Sequence, residues 1–117
     1  MKTYNGTCHC GSIAFAFAHE EITTGLRCNC SICRRKGAAM SDFTLQPDQL
    51  DIKVEGDNLG LYQFDSNIAK HYFCKTCGIY PFHETLRKPG HYRVNLGCID
   101  EIDTNTLNIA KFDGKSI

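Results

Sequence analysis

Three cysteines lie within six residues of this sequence, at Cys28, Cys30 and Cys33. A disulfide needs its two Cα atoms about 4.4–6.8 Å apart with opposed Cβ vectors, which such close spacing does not favour. A tight turn followed by the first turn of a helix can instead direct three sulfur atoms at one cation. The spacing of this three-cysteine cluster therefore predicts a metal site.

Two further cysteine pairs flank the three-cysteine cluster. Cys8 and Cys10 form a C-x-C pair upstream, and Cys74 and Cys77 form a C-x2-C pair downstream, which Gly78 follows. The downstream pair has the spacing of a zinc knuckle, in which glycine relieves crowding where the backbone turns around the sulfur atoms. Seven of the eight cysteines are therefore clustered.

Seven clustered thiols divide into a group of four and a group of three. Structural zinc normally has four protein ligands, whereas catalytic zinc keeps three and leaves one position free. We expect the two flanking pairs to share a structural zinc, because clusters from opposite ends of the chain then tie the sheet together. Cys28, Cys30 and Cys33 would hold a second, catalytic zinc. The alternative is a second structural site that Cys98 or a histidine closes.

Length and composition predict one domain, over residues 1–117. The first residues lack the apolar core of a signal peptide, so we expect reduced thiols and a cytoplasmic protein. No apolar run approaches the roughly 20 residues that cross a bilayer, which argues against a membrane partner. The 13 basic and 13 acidic residues balance, and a nucleic-acid binder usually has a basic excess.

The hydrophobic pattern predicts a mainly β fold of short strands with very little helix. Ile13, Phe15 and Phe17 alternate with alanine and would share one face of a strand. Further strands are predicted over 40–45, 51–55, 59–64, 68–73, 79–83, 92–96 and 107–112, with a hairpin loop at 65–67 and a helical turn within 100–106. A short helix is predicted from Ser31, a good cap, to Gly37, a good stop.

Several segments resemble the glutathione-dependent formaldehyde-activating enzyme family, which includes centromere protein V. The segments are Cys8–Ser12, Cys28–Arg34, Phe73–Ile79, Pro81–Phe82 and Tyr92–Gly97. The resemblance implies an Mss4-like zinc-binding fold of short antiparallel strands. It also implies that the two flanking pairs are the structural zinc ligands and that the three-cysteine cluster holds the catalytic zinc. The implied activity is of the carbon-sulfur lyase type, the joining of glutathione and formaldehyde into S-(hydroxymethyl)glutathione.

Two hypotheses of different classes follow. In the first, the protein is an enzyme whose second zinc activates a thiol such as glutathione for addition to a small aldehyde. Arg34 and Arg35 would then help to hold the anionic tripeptide, although a solvated helix face explains a basic run as well. In the second, the protein is a zinc-stabilised binding module without catalysis. A fourth protein ligand at the three-cysteine cluster would favour the module.

Other side chains that could take part are weaker candidates. His9 alternates with two predicted ligands, so its side chain should turn away from the metal. His71, Tyr72 and His83 would suit an acid, a base or a partner of a metal ligand, but we expect them to be partly exposed residues of the sheet surface. Cys98 is expected to be a small buried hydrophobic residue.

Overall fold

A computed structural model describes residues 1–63, 69–85 and 88–116. The strands in these ranges are β1 (Lys2–Thr7), β2 (Ile13–His19), β3 (Thr24–Cys28), β4 (Asp51–Val54), β5 (Leu59–Tyr62), β6 (Ala69–Cys74), β7 (Phe82–Thr85), β8 (His91–Val94) and β9 (Asn108–Phe112). The same ranges contain one α-helix, α1 (Ser31–Lys36), and 3₁₀ turns at Pro47–Gln49, Leu96–Cys98, Thr104–Thr106 and Gly114–Ser116. The predicted mainly β class is confirmed. None of these helices is long and apolar enough to span a membrane.

The first sheet is antiparallel, with strand order β1-β2-β4. The alternation predicted for β2 is confirmed, because Ile13, Phe15 and Phe17 are all buried while the alanines between them are partly exposed. The Phe15 ring meets Phe82 of β7 edge-on, with 6.1 Å between ring centroids. The core therefore lies between this sheet and the next one.

The second sheet is an antiparallel meander in the order β5-β6-β7-β8. The predicted pairing of the two strands around residue 65 is confirmed by the β5–β6 register, in which Leu59 faces Cys74. The predicted loop at 65–67 lies outside the described residues. The strand predicted over 79–83 begins later, at Phe82, because Ile79 still belongs to the cysteine turn, where its carbonyl accepts from the Cys74 N–H.

The third sheet pairs β3 with β9 in parallel. The sequence did not predict a strand at β3 or any parallel pairing. Gly25 weakens the strand pattern of this segment, yet the packing requires it, since a Cβ there would come 2.9 Å from Ile109 Cδ1 of β9. The pairing places the end of β3, and with it Cys28, beside the residues that follow β9.

The segment 40–45 was predicted as a strand, and that prediction is wrong. It forms isolated bridges instead, with Met40 paired to Leu26 of β3 and to Asn95, and Leu45 paired to Tyr92 of β8. The backbone between them is irregular. These bridges join the third sheet to the second and so bring the three-cysteine cluster next to the four-stranded sheet.

Candidate functional site

Four cysteines from two different sheets come together in one cluster. Cys8 and Cys10 lie in the connection from β1 to β2, Cys74 ends β6, and Cys77 lies in the turn that follows. The four Sγ atoms lie within 4.8 Å of one another. The Cys10 Sγ is 3.7 Å from the Cys8 Sγ and 3.6 Å from the Cys74 Sγ. We refer to these residues as the four-cysteine cluster.

The spacing of these sulfur atoms suits a tetrahedral metal ion better than a disulfide. A disulfide bond is about 2.0 Å long. Two sulfur ligands at about 2.3 Å from a tetrahedral zinc are about 3.8 Å apart, which is close to the distances found here. The four residues have the donor set of a closed structural site.

Backbone and side-chain donors point at the sulfur atoms of the four-cysteine cluster. The N–H of Ile13 donates to the Cys8 Sγ at 3.3 Å, and the N–H of Cys77 donates to the Cys74 Sγ at 3.4 Å. The buried Ser12 Oγ is 3.2 Å from the Sγ of both Cys10 and Cys74. The Ser12 hydrogen bond is the largest cause that lowers the pKa of Cys74, to about 6. The sequence predicted no role for Ser12, although Ser12 lies two residues after Cys10.

The three-cysteine cluster is built from one short stretch of chain. Cys28 ends β3, Cys30 is the N-cap of α1, and Cys33 lies in its first turn. Their Sγ atoms also lie within 4.8 Å of one another. The predicted cap at Ser31 is wrong, because the Cys30 side chain accepts from the Cys33 N–H. The predicted stop at Gly37 is confirmed, since Gly37 adopts the left-handed conformation with φ +67°.

Within the described ranges, no fourth histidine, cysteine or carboxylate joins the three-cysteine cluster. Cys98, considered as a closing ligand, lies elsewhere: its Sγ is 3.9 Å from the carbonyl oxygen of Tyr80. Burial, with the nearby Cys8 and Cys77, raises the pKa of the Cys98 thiol to about 12. The prediction that Cys98 is a small buried hydrophobic residue is confirmed.

The residues after β9 pack against the three-cysteine cluster. Asn29 Nδ2 donates to Asp113 Oδ1 at 2.8 Å, and the Lys115 N–H donates to Asn29 Oδ1 at 2.9 Å. Gly114 passes so close that a Cβ on it would lie 2.4 Å from the Cys28 Sγ. This turn therefore covers one side of the cluster and depends on glycine to do so.

A basic cavity borders the three-cysteine cluster. It has a volume of about 540 Å³ and is lined by Asn29, Ser31, Arg34, Arg35 and Lys115. Three of these five side chains carry a positive charge and none carries a negative one. Arg35 is fixed by a bond from its Nη1 to the Ser31 carbonyl oxygen at 2.8 Å. Asn29 and Ser31 are chain neighbours of the cluster's cysteines, although none of the three cysteines is among the described residues that line the cavity.

The family model of the glutathione-dependent formaldehyde-activating enzymes matches residues 3–112, which include both clusters. The chain belongs to this family. The resemblance inferred from the cysteine motifs is thereby confirmed. A crystal structure of a Rhodobacter sphaeroides protein, obtained by structural genomics, is similar to this member of the glutathione-dependent formaldehyde-activating enzyme family. The two chains are 34% identical, the match covers 91% of this chain and 99% of the other, and the TM-score is 0.78.

Two histidines of this glutathione-dependent formaldehyde-activating family member lie where the sequence did not predict them. His71 and His83 were expected on the sheet surface, but they are 5% and 8% exposed. Burial lowers the pKa of His71 to about 4 and that of His83 to about 3, so both rings are neutral at pH 7. His9 is exposed and joins neither cluster, as predicted, and Tyr72 is partly exposed, as predicted.

Proposed function

We propose that the protein is a zinc-dependent enzyme of the carbon-sulfur lyase type. It would join a glutathione-like thiol to a small aldehyde such as formaldehyde, or separate the adduct. The reaction forms a bond between the thiol sulfur and the aldehyde carbon, and the thiol proton passes to the aldehyde oxygen, which becomes a hydroxyl group. The observation that carries the proposal is the unequal ligand count of the two clusters, in a chain of this family.

The donor sets of both clusters fit zinc. Thiolate ligands favour soft or borderline ions such as zinc over magnesium or calcium, and the sulfur spacing of the four-cysteine cluster matches tetrahedral coordination. Each cluster would hold one ion, which makes two per chain. A zinc ion at the three-cysteine cluster would lower the pKa of a thiol or water in its fourth position.

The basic cavity supplies the features that an anionic thiol peptide needs. Glutathione has two carboxylates and one ammonium group, so a site for it should carry excess positive charge. Arg34, Arg35 and Lys115 provide this charge, and a guanidinium group can bind a carboxylate with two parallel hydrogen bonds. The volume of about 540 Å³ is in the range of small-molecule sites. The side chains would hold the peptide with its sulfur toward the neighbouring cysteines.

A binding module without catalysis is the second candidate. Its support is the turn at Gly114, which lies against the Cys28 Sγ and covers one side of the cluster. The basic cavity would also fit an anionic partner that is not a substrate. The two candidates differ in whether the protein changes the rate of thiol addition to an aldehyde.

Exchange spectroscopy by NMR tests the proposal, with zinc-loaded protein added to a mixture of glutathione and formaldehyde. The protein should accelerate exchange between free glutathione and its hydroxymethyl adduct above the uncatalysed rate. Cys30→Ser should remove the acceleration, and Cys98→Ala, a cysteine outside both clusters, should keep it. Absence of acceleration by wild-type protein with both clusters loaded would favour the binding module.

A further inference from the structure

Four polar side chains are packed between α1 and the second sheet, and the proposed reaction uses none of them. We call Lys36, His71, Tyr80 and His83 the polar cluster. The Lys36 Nζ is 2.5 Å from the His71 Nδ1 and 3.3 Å from the centroid of the Tyr80 ring. The Tyr80 hydroxyl is hydrogen-bonded to the His83 Nδ1. His71 and His83 face each other across β6 and β7, with 5.6 Å between ring centroids.

The Lys36 ammonium group has no carboxylate partner in the described part of the chain. The ion pairs found there join Lys2 to Glu101 and Lys70 to Glu84. The neighbours of Lys36 are instead a neutral imidazole and an aromatic face. An ammonium group taken out of water is costly unless an anion compensates for it. Lys36 is half-buried, and an anion nearby would compensate for the water that its ammonium group loses.

The candidate for that anion is the three-cysteine cluster, whose thiolates would carry negative charge with metal bound. Cys33 and Lys36 are three residues apart on α1, so they share one face of the helix. Burial lowers the pKa of Lys36 to about 8, and thiolate charge on Cys33 and Cys30 would act in the opposite direction. Three thiolate ligands exceed the charge of one zinc ion by one negative charge, and a thiolate substrate would add another. The cluster therefore remains anionic when it holds metal.

We propose that Lys36 is the half-buried counter-ion of the metal centre at the three-cysteine cluster, held there by His71 and the Tyr80 ring. His83 fixes the Tyr80 hydroxyl and so the orientation of the ring. Lys36 is a positioning residue in this assignment: it stabilises the negative charge of the thiolates without touching the substrate. The inference rests on the metal-binding part of the proposed function and is independent of the reaction itself.

Competition with a zinc chelator tests this assignment, because the two clusters can be titrated in the same protein. Lys36→Met should weaken zinc binding at the three-cysteine cluster about tenfold or more, the size of effect typical of groups that support metal ligands. Zinc binding at the four-cysteine cluster should stay unchanged and serve as the internal reference. Lys36→Arg, which keeps the charge, should restore most of the affinity. Lys53→Met removes an exposed lysine of β4 and should change neither site.

Glutathione binding to the zinc-loaded protein, followed by calorimetry, gives a second measure. At high pH, where the thiolate binds, Lys36→Met should weaken glutathione binding. It should weaken the binding of S-methylglutathione less, because that compound brings no thiolate charge. Unchanged zinc affinity at the three-cysteine cluster would overturn the proposal. If Lys36→Met also loses the zinc of the four-cysteine cluster, Lys36→Gln takes the place of that variant, because glutamine keeps a hydrogen-bond donor for His71. Unchanged zinc affinity at the three-cysteine cluster of Lys36→Gln would then overturn the proposal. A protein that shows the tenfold loss without accelerating thiol addition would keep Lys36 as counter-ion and reject the reaction.

Discussion

The two cysteine clusters offer the same ligand atom, sulfur, but they differ in which chain segments supply it and in how deeply it is buried. The four-cysteine cluster joins the β1–β2 connection to the end of β6, and its Cys8 and Cys74 are buried. The three-cysteine cluster uses a single stretch of chain, Cys28 to Cys33, and its three cysteines are all half-buried. A ligand set from distant segments holds a fold together, whereas a local set beside a cavity leaves the metal accessible. We therefore expect the four-cysteine cluster to stabilise the fold and the three-cysteine cluster to serve the proposed reaction.

The strongest test of this difference compares one ligand from each cluster. Cys74→Ser should cost more than about 4 kcal/mol of unfolding free energy, because it opens a site that ties two sheets together. For a domain of this size that loss lowers Tm by roughly 15 °C or more. Cys30→Ser should remove the local zinc and leave Tm within a few degrees of wild type. Thermal unfolding with zinc analysis measures both, and equal losses of Tm would contradict the division.

Low pH should destabilise the protein through the polar cluster beside the three-cysteine cluster. His71 and His83 have folded pKa values of about 4 and 3, below the ordinary value of 6.5. Between each folded pKa and 6.5, the unfolded chain therefore binds more protons than the folded protein. The contribution of the two histidines to the unfolding free energy is fully present above pH 6.5 and is lost as the pH drops towards 4. Each histidine should contribute about 1–2 kcal/mol to the loss at pH 5. Lys36 and Arg93, the charged groups facing them, add to the lowering.

Variants separate this effect from acid release of zinc. His83→Gln should give a shallower fall of unfolding free energy between pH 7 and pH 5, measured in urea, while His9→Gln, an exposed histidine, should follow wild type. Parallel curves for wild type and His83→Gln would show that buried histidine protonation is not the cause.

Ser12 tests whether the four-cysteine cluster depends on its hydroxyl donor. Ser12→Ala removes the hydrogen bonds to the Cys10 and Cys74 sulfur atoms. Bonds to charged acceptors contribute about 1.5–3 kcal/mol, and the partial loss here should cost about 1–2 kcal/mol. Urea unfolding measures it, with Thr3→Ala on the exposed side of β1 as control. The zinc of the three-cysteine cluster should stay bound with wild-type affinity, and its loss would contradict the independence of the two sites.

The smallest effect is expected in the basic cavity. Arg34→Gln and Arg35→Gln should each raise KM for glutathione about three- to fivefold and leave kcat nearly unchanged, because exposed charge pairs contribute about 0.2–1 kcal/mol. Arg27→Gln, an exposed arginine of β3 outside the cavity, should change neither constant. A fall in kcat without a change in KM would place these arginines in the chemical step instead.

The sequence predicted those parts of the molecule that depend on local pattern. The close spacing of Cys28, Cys30 and Cys33 predicted that their sulfur atoms converge, because ligands of one ion must lie within a few ångströms of one another. The alternation of Ile13, Phe15 and Phe17 identified a strand and its buried face. Gly37 identified the end of the helix, since few other residues adopt its left-handed conformation without strain.

Features that depend on distant partners were not predictable in this way. No local sequence pattern predicts the parallel pairing of β3 with β9, and Gly25 weakens the strand pattern of β3. His71 and His83 were expected on the surface because histidine is common there, but both are buried, His71 beside Lys36 and His83 beside Tyr80, and no local pattern predicts these contacts.

The pairing of β3 with β9 also affects the order in which the parts of the protein fold. Thr24 pairs with Asn108, so this sheet closes only when two segments that are distant in the chain have met. The cysteines of the three-cysteine cluster, by contrast, lie within six residues of one another, so this cluster can form, and bind the proposed metal ion, before the turn at Gly114 packs against it. Pulsed hydrogen exchange during refolding with zinc should accordingly protect the amides of α1 before those of β9, and simultaneous protection would show that both form in one step.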